Sequence, residues 1–393
     1  MEELEEAIKN LKMKKQPGSD LIFPEFLKHL GPKAQNTLLL IYNTFWNVKT
    51  SIPPDWVRAT IIPIHKKEKP IDDLDSYRPI SLTSVIVKTF ERMLTNRLKF
   101  FLESAEIIEE EQAGFRNGMS TANSIMKFVH AIKSGFNSKK SSLAVFVDFQ
   151  GAYDTICRKK LINKLRGQGI EGRMLSWIER FLAQRWVKTS WNNVESKYRQ
   201  SKIGLPQGSV SSPILFNLYI NDLVKSLKDL GNYQVSMFAD DLVIWMETNN
   251  HRNPQRQRQQ LEYSMNEALE VLQSWAMNNH MIINKSKTMY QFFTLRHASL
   301  DFSLYIDGSR LNESRETKYL GVTMDSKLKF LEHIKHTSTR VEKRFPILKR
   351  LAGAKWGCTQ DTLNLTYNTY IKPILKYGSE ALILAPQTNL DIL

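Results

Sequence analysis

The sequence is poor in the residues that staple or ligate. Its 393 residues include two cysteines, Cys157 and Cys358, and eight histidines. Two cysteines make neither a disulfide framework nor a Cys-rich zinc knuckle, and a reducing compartment fits them. The histidines are scattered. His333 and His336 have helical spacing but no partner pair, so they are expected on a solvated face. No apolar run reaches about 18 residues, so no membrane span is expected. The start, Met1-Glu2-Glu3-Leu4-Glu5-Glu6, lacks the basic end and apolar centre of a secretory signal. Internal repeats are absent, and so is the G-x-x-x-x-G-K-[ST] phosphate loop. An acidic excess is missing too: Lys plus Arg is 55 against 40 for Asp plus Glu, a net charge of +15. That balance points to a polyanionic partner. With 42% hydrophobic and 24% charged residues the chain is globular, and its length suggests two or three subdomains.

Helices and strands are interleaved, which makes the class α+β. Helical spacing appears over 33–49 (Leu38, Leu39, Tyr42, Phe45, Trp46) and over 85–103 (Phe90, Leu94, Leu98, Phe101). Between them, the β-branched segment from Ala59 to Ile64 reads as a strand. Leu143 to Val147 is a short continuous apolar run, as expected of a strand buried on both faces. Residues 158–184 read as helices broken near the glycines at 167–172. There Gly167-Gln168-Gly169-Ile170-Glu171-Gly172 satisfies G-x-G-x-x-G, but it follows a helical pattern, so it reads as a helix stop and turn. Residues 251–260 read as a polar loop, 261–277 as a helix, 281–293 as strand-like and 327–352 as a basic helical region.

The acids carry the first chemical signal. A lone Asp at a strand end is usually a turn former. Asp240-Asp241 is different, because two adjacent carboxylates sit between the apolar halves of VSMFADDLVIW (235–245). Repulsion and desolvation both oppose that arrangement, and a divalent cation relieves both. Asp148, ending the apolar run, is the natural third ligand. Hard oxygen donors favour Mg²⁺, and two ions about 3.5–4 Å apart clamp the oxygens of a phosphoryl transfer. The second signal is Gly204 to Pro213, GLPQGSVSSP, in which two glycines and two prolines fix an unusual backbone ahead of a helix.

Phe238-Ala239-Asp240-Asp241, with LPQGSVSSPILFNLYINDL (205–223) and VFVDFQGAYD (145–154), resembles reverse transcriptases of LINE-type, jockey-like non-LTR retrotransposons. YRPISLTSVIVKTFERMLTNRL (77–98), EEEQAGFRNGMST (109–121), MIINKSKT (281–288) and YLGVTMDSKLKF (319–330) extend the resemblance over most of the chain. Each piece is weak alone. Their order and spacing together are specific.

The resemblance implies a right-hand polymerase fold. It would have an N-terminal fingers extension over 1–45, fingers and palm over 46–324, and a partial helical thumb over 325–393. Asp148 and Asp240 would bind two Mg²⁺ (Mn²⁺ as the substitute ion), with Asp241 the neighbouring acid and the Phe149 carbonyl an added ligand. Tyr153 stands at the steric-gate position that disfavours a ribose 2′-OH. Gln207 and Gly208 would lie under the incoming nucleotide and template. Lys66 or Lys67, with Arg78, would grip the triphosphate, and Lys287 would protonate the leaving pyrophosphate. Tyr319-Leu320-Gly321 resembles the loop that holds the primer end. Beyond it, residues 315–355 carry eleven Lys and Arg against four acids, with Lys343 and Arg344 as candidate duplex contacts.

Gln150-Gly151 departs from the family's usual Ser or Lys followed by Ala, beside the metals. Family members usually carry an endonuclease region upstream and further regions downstream, so this chain reads as a polymerase module or a truncated copy. The implied partners are an RNA template, a DNA primer at its target and deoxynucleoside triphosphates, with no membrane, and a nuclear location follows from target-primed synthesis. The rivals are a non-catalytic RNA-binding protein with this fold, an RNA-dependent RNA polymerase and an unstable remnant. The three intact acids weigh against the first, and Tyr153 with Phe238-Ala239 against the second.

Overall fold

The computed structural model describes residues 1–47, 52–66, 69–249, 253–296, 300–353 and 356–393. Lys67 and Lys355 lie outside them. The chain forms two compact units, each assembled from separated stretches. The first takes residues 1–109, 150–223 and 275–282; the second takes 110–149, 224–274 and 283–393. Both mix helices with antiparallel pairing, as an α+β chain should.

In the first unit the strand Arg58–His65 pairs antiparallel with Tyr77–Leu82 and parallel with Arg185–Trp191. The latter also takes Val194–Glu195 and Arg199–Ser201, both antiparallel. The helix Val85–Ser104 starts where the Ser84 side chain accepts the Val87 amide at 3.4 Å, an N-cap. Its inward face carries Phe90, which stacks on Tyr42 of the helix Pro32–Asn47 at 4.8 Å. The buried Tyr42 hydroxyl donates to the Ile86 carbonyl at 2.7 Å, which removes the cost of an unpaired polar group there. Helices Arg158–Gly167 and Gly172–Ala183 break as their glycines require, with Gly169 at φ +80° and Gly172 at φ +61°.

In the second unit five strands run in the order Asn312–Glu313, Met289–Phe293, Lys140–Val147, Asp241–Asn249 and Gln234–Phe238. The central strand is hydrogen-bonded antiparallel on both sides and is buried from Ser141 to Val147. Against one face packs the helix Thr121–Asn137, which opens with a reciprocal Ser120–Asn123 cap. Its Phe128 meets Phe146, Trp245 and Phe293 edge-on at 5.6, 5.2 and 5.5 Å. These rings belong to one buried cluster of this unit, with Tyr319 and Phe330.

Three expectations change. The segment 251–260 is not all loop, because the helix Pro254–Asn278 begins inside it. Pro254 occupies its first position, and the Asn253 side chain accepts the amides of Gln255 and Arg256 at 3.0 and 3.4 Å. End chemistry outweighs polarity there. His333 is buried rather than solvated: its Nδ1 accepts the Thr323 amide at 3.3 Å, and only His336 is exposed. The basic region is two helices, Leu331–Glu342 and Phe345–Leu351. Leu328, Ile334 and Val341 are buried as a packed face requires, but the break at Lys343-Arg344 turns Phe345 outward, 42% exposed.

Candidate active site

Strand pairing brings the three acids together within the second unit. Val147 pairs with Leu242 and Phe238 with Asp241, so the next register position sets Asp148 beside Asp241. Ala239 and Asp240 make the connection between the two strands, and Ala239 adopts the left-handed conformation at φ +57°. That conformation is uncommon for a residue with a Cβ and needs support. Gln112 supplies it. Its Oε1 accepts the Ala239 amide at 2.9 Å, and its Nε2 donates to the Ala239 carbonyl at 3.2 Å. Gly114 lies so close that a Cβ there would stand 2.3 Å from the Ala239 nitrogen.

Asp148 is tied at its backbone. Its amide donates to Thr288 Oγ1 at 3.2 Å, and its carbonyl accepts the Asn284 amide at 2.7 Å. The same turn carries Lys287, whose Nζ stands 3.7 Å from Asp148 Oδ2. Burial, then the Asp148 charge, raises the Asp240 pKa. Burial, then Asp240 and Asp148, pushes Asp241 up to about 6. Asp240 and Asp241 therefore feel the Asp148 charge, and Asp241 that of Asp240 as well, so both are disfavoured as anions. Among the described residues no three side chains of metal-ligating type form a ready-made cage. The donor set still suits a hard divalent cation: oxygen ligands only, destabilised as anions by one another. Phe149 is buried directly after Asp148.

The other nucleotide-side candidates belong to the first unit. Gln207 Nε2 donates to both carboxylate oxygens of Asp154, at 3.2 and 3.1 Å, and its carbonyl accepts the Ser81 amide at 2.7 Å. Gly208 has φ +111°, and a Cβ there would meet the Ser81 carbonyl oxygen at 2.9 Å, so only glycine fits. Lys66 Nζ donates to the Asp75 carbonyl at 2.7 Å, and its charge also acts on Asp154. Arg78 is exposed on its strand. The Tyr153 ring stacks on buried Phe216 at 4.8 Å and 13°.

Sequence reasoning missed the residues that hold this loop. Arg158 donates to the carbonyls of Gly204, Leu182, Ser201 and Ile203. Fully buried Glu91 accepts from Ser209 Oγ at 2.9 Å and from the Val210 amide at 2.8 Å. Burial raises the Glu91 pKa, with buried Arg185 the foremost opposing charge. A charged residue on the apolar face of a helix, as Glu91 is on 85–104, was the available signal.

In the second unit Tyr319 is core. It is 3% exposed and its hydroxyl pairs with Ser236 Oγ at 3.2 Å. Leu320 and Gly321 form the tight turn that follows, at φ +46° and +86°, between the strands Glu316–Tyr319 and Val322–Asp325. The Tyr377 hydroxyl donates to the Leu320 carbonyl at 2.6 Å. Lys343 is exposed, whereas the Arg344 guanidinium lies 4.2 Å from the Tyr370 ring centre and donates to the Tyr370 carbonyl.

Residues 64–324 match the family described as "Reverse transcriptase (RNA-dependent DNA polymerase)". Over 99% of its length the chain is 32% identical to the "Probable RNA-directed DNA polymerase from transposon BS" of Drosophila melanogaster. Over its full length it is 27% identical to the "RNA-directed DNA polymerase from mobile element jockey" of the same organism. It is 28% identical, over 99% of its length, to the "Probable RNA-directed DNA polymerase from transposon X-element" of that fly. The chain spans 42% of the length of each of these relatives.

Proposed function

The chain belongs to the reverse transcriptase (RNA-dependent DNA polymerase) family, and from that premise we propose that it copies RNA into DNA as the polymerase module of a jockey-like non-LTR retrotransposon. The observation that carries this reading is the electrostatic coupling of Asp148, Asp240 and Asp241 at the ends of paired strands. In this reading the five-stranded sheet is the palm, the strands 58–65 and 77–82 belong to the fingers, and the helices from Leu331 onward are a partial thumb.

Asp148 and Asp240, with Asp241 beside them and the Phe149 carbonyl, are the ligands for two Mg²⁺ or Mn²⁺. When bound, such ions supply Lewis-acid stabilisation to the transferred phosphoryl group and its attacking primer hydroxyl. The chain's own residues align and discriminate. Lys287, held by the turn that fixes Asp148, offers a proton to the leaving pyrophosphate. Lys66 and Arg78 bind the triphosphate, and Lys67 stands beside Lys66 in sequence for the same task. Tyr153, braced on Phe216, restricts the sugar, while Gln207 and Gly208 support the nucleotide and template. The Leu320-Gly321 turn holds the primer end, and Lys343 with Arg344 contacts duplex phosphates. The substrates are then an RNA template, a DNA primer and deoxynucleoside triphosphates. A primer at nicked chromosomal DNA would place the work in the nucleus. Among the described residues no helix is long and apolar enough to cross a membrane.

Extension of oligo-dT on poly-rA tests the reading. The expected result is incorporation of dTTP that requires the RNA template and stops with EDTA, with UTP incorporated far less. Failure to extend with either Mg²⁺ or Mn²⁺, or equal use of UTP, contradicts it.

A further inference from the structure

Asp154 has no place in the mechanism above, yet it stands between two groups that do. Its carboxylate takes both oxygens to the Gln207 amide nitrogen. Burial raises its pKa, and the Gln207 hydrogen bond and the Lys66 charge oppose that rise by favouring the ionised form. The pairing does not depend on two wandering side chains. The Gly204 amide donates to the Ile156 carbonyl and the Leu205 amide to the Tyr153 carbonyl, both at 2.8 Å. Gly204 sits at φ +77° directly on the Asp154 backbone, where a Cβ would lie 2.7 Å from the Asp154 carbonyl oxygen. The Gln207 backbone is fixed in turn by Ser81. Both ends of the contact are therefore anchored before the side chains meet.

An ionised carboxylate only accepts hydrogen bonds, whereas a glutamine amide has one donating and one accepting end. Facing Asp154, the amide has to turn its NH₂ group inward. Its Oε1 is then left as the outward group.

We propose that Asp154 is a positioning residue that locks the Gln207 side-chain amide with its carbonyl oxygen presented outward, so that this position accepts a hydrogen bond from the incoming nucleotide. The inference rests on the polymerase reading for its ligand, but the lock itself is a property of the free protein. A bare glutamine at this loop position would divide its time between two amide orientations, one of which offers the nucleotide a donor where an acceptor is needed. Selecting one orientation in advance lowers the cost of ordering on binding.

The test has two arms. In the first, dTTP kinetics on poly-rA·oligo-dT are compared for wild type, Asp154→Ala, Gln207→Ala and the double variant. Gln207→Ala should raise KM for dTTP roughly five- to tenfold, the worth of about one hydrogen bond. Asp154→Ala should raise it by about twofold, because an amide split between two orientations is competent about half the time. Each should have a smaller effect on kcat. The double variant should be no worse than Gln207→Ala, because Asp154 acts only through Gln207. Asp154→Glu should recover part of the loss. Multiplying effects in the double variant, or an unchanged KM in Asp154→Ala, would overturn the proposal. The second arm needs no catalysis. In protein labelled with ¹⁵N-glutamine, the Gln207 side-chain NH₂ signals, assigned by their loss in Gln207→Ala, should shift and exchange faster in Asp154→Ala. If they do not move, the lock does not exist. If they move while no variant and no wild type extends a primer, the polymerase reading fails and the lock stands.

Discussion

Replacing Gly114 with alanine should damage catalysis more than folding. A Cβ at 114 would lie 2.3 Å from the Ala239 nitrogen, 2.9 Å from Gln112 Oε1 and 3.1 Å from the Ala239 Cα. Ordinary carbon contacts begin near 3.4 Å, so the Ala239 backbone has to retreat by about 1 Å. It cannot do so freely. Gln112 holds both the amide and the carbonyl of Ala239, and flanking residues sit in a strand ladder. Overpacking of this kind costs roughly 1–3 kcal/mol. Loss of glycine freedom in the unfolded chain returns about 0.4–1 kcal/mol. A net loss of about 0–2.6 kcal/mol leaves most of the protein folded. The aspartates that follow Ala239 move with it, and a displacement near 1 Å at a reacting group can cost about 100-fold in rate. Primer-extension kcat and urea unfolding, measured on the same preparation, separate the two effects. A variant with wild-type kcat would refute the claim that Gly114 and Gln112 set the position of the acids. So would a fall in kcat fully accounted for by the unfolded fraction.

Burial and the neighbouring carboxylates raise Asp241 from 3.8 to about 6. Its ionised form therefore opposes folding, a penalty absent below about pH 4 and complete above about pH 6. Asp241→Asn should then stabilise the fold in EDTA at pH 7.5 by about 1 kcal/mol, read as a higher melting temperature, and change little at pH 4. Solvent screening keeps the effect to that size, because part of the Asp241 side chain reaches the surface although its carboxylate is largely desolvated. A thermal shift independent of pH would contradict this. Tyr153→Ala should raise incorporation of ribonucleotides relative to deoxynucleotides, read by single-nucleotide extension, and unchanged discrimination would make the ring simple packing on Phe216. Lys343→Glu with Arg344→Glu should weaken template–primer binding and flatten its salt dependence, each lost phosphate contact lowering the slope by about 0.9. Because Arg344 is engaged by Tyr370, Lys343→Glu alone should account for most of the slope change, and an equal or larger share from Arg344 would contradict that.

The acids were the most legible part of the molecule. An apolar run ending in Asp148 and paired aspartates between apolar halves are local patterns, although the antiparallel pairing of their strands is not. The helices at 32–47, 85–104, 158–167 and 172–183 were legible for the same reason: periodicity and glycine stops are read within a few residues. What pairs over long separations was not. Nothing near Arg58 announces its parallel pairing with Trp186, and nothing in 153–156 announces its stitching to 204–205. His333 was misread because a buried histidine is excused by one distant amide, that of Thr323. Each compact unit also gathers stretches from three parts of the chain, which a linear reading of composition does not detect.

The central claim is that Asp148 and Asp240 form a single catalytic centre for DNA synthesis on RNA. The most direct measurement is the dTTP incorporation rate on poly-rA·oligo-dT for wild type, Asp148→Asn and Asp240→Asn, each checked for folding by circular dichroism and for template–primer binding. The account predicts that each single asparagine abolishes extension, by at least about 1,000-fold, while binding is kept, and that the double variant is no worse than either single one, as expected for groups acting as a unit. Extension by a folded Asp240→Asn variant at near wild-type rate would contradict it.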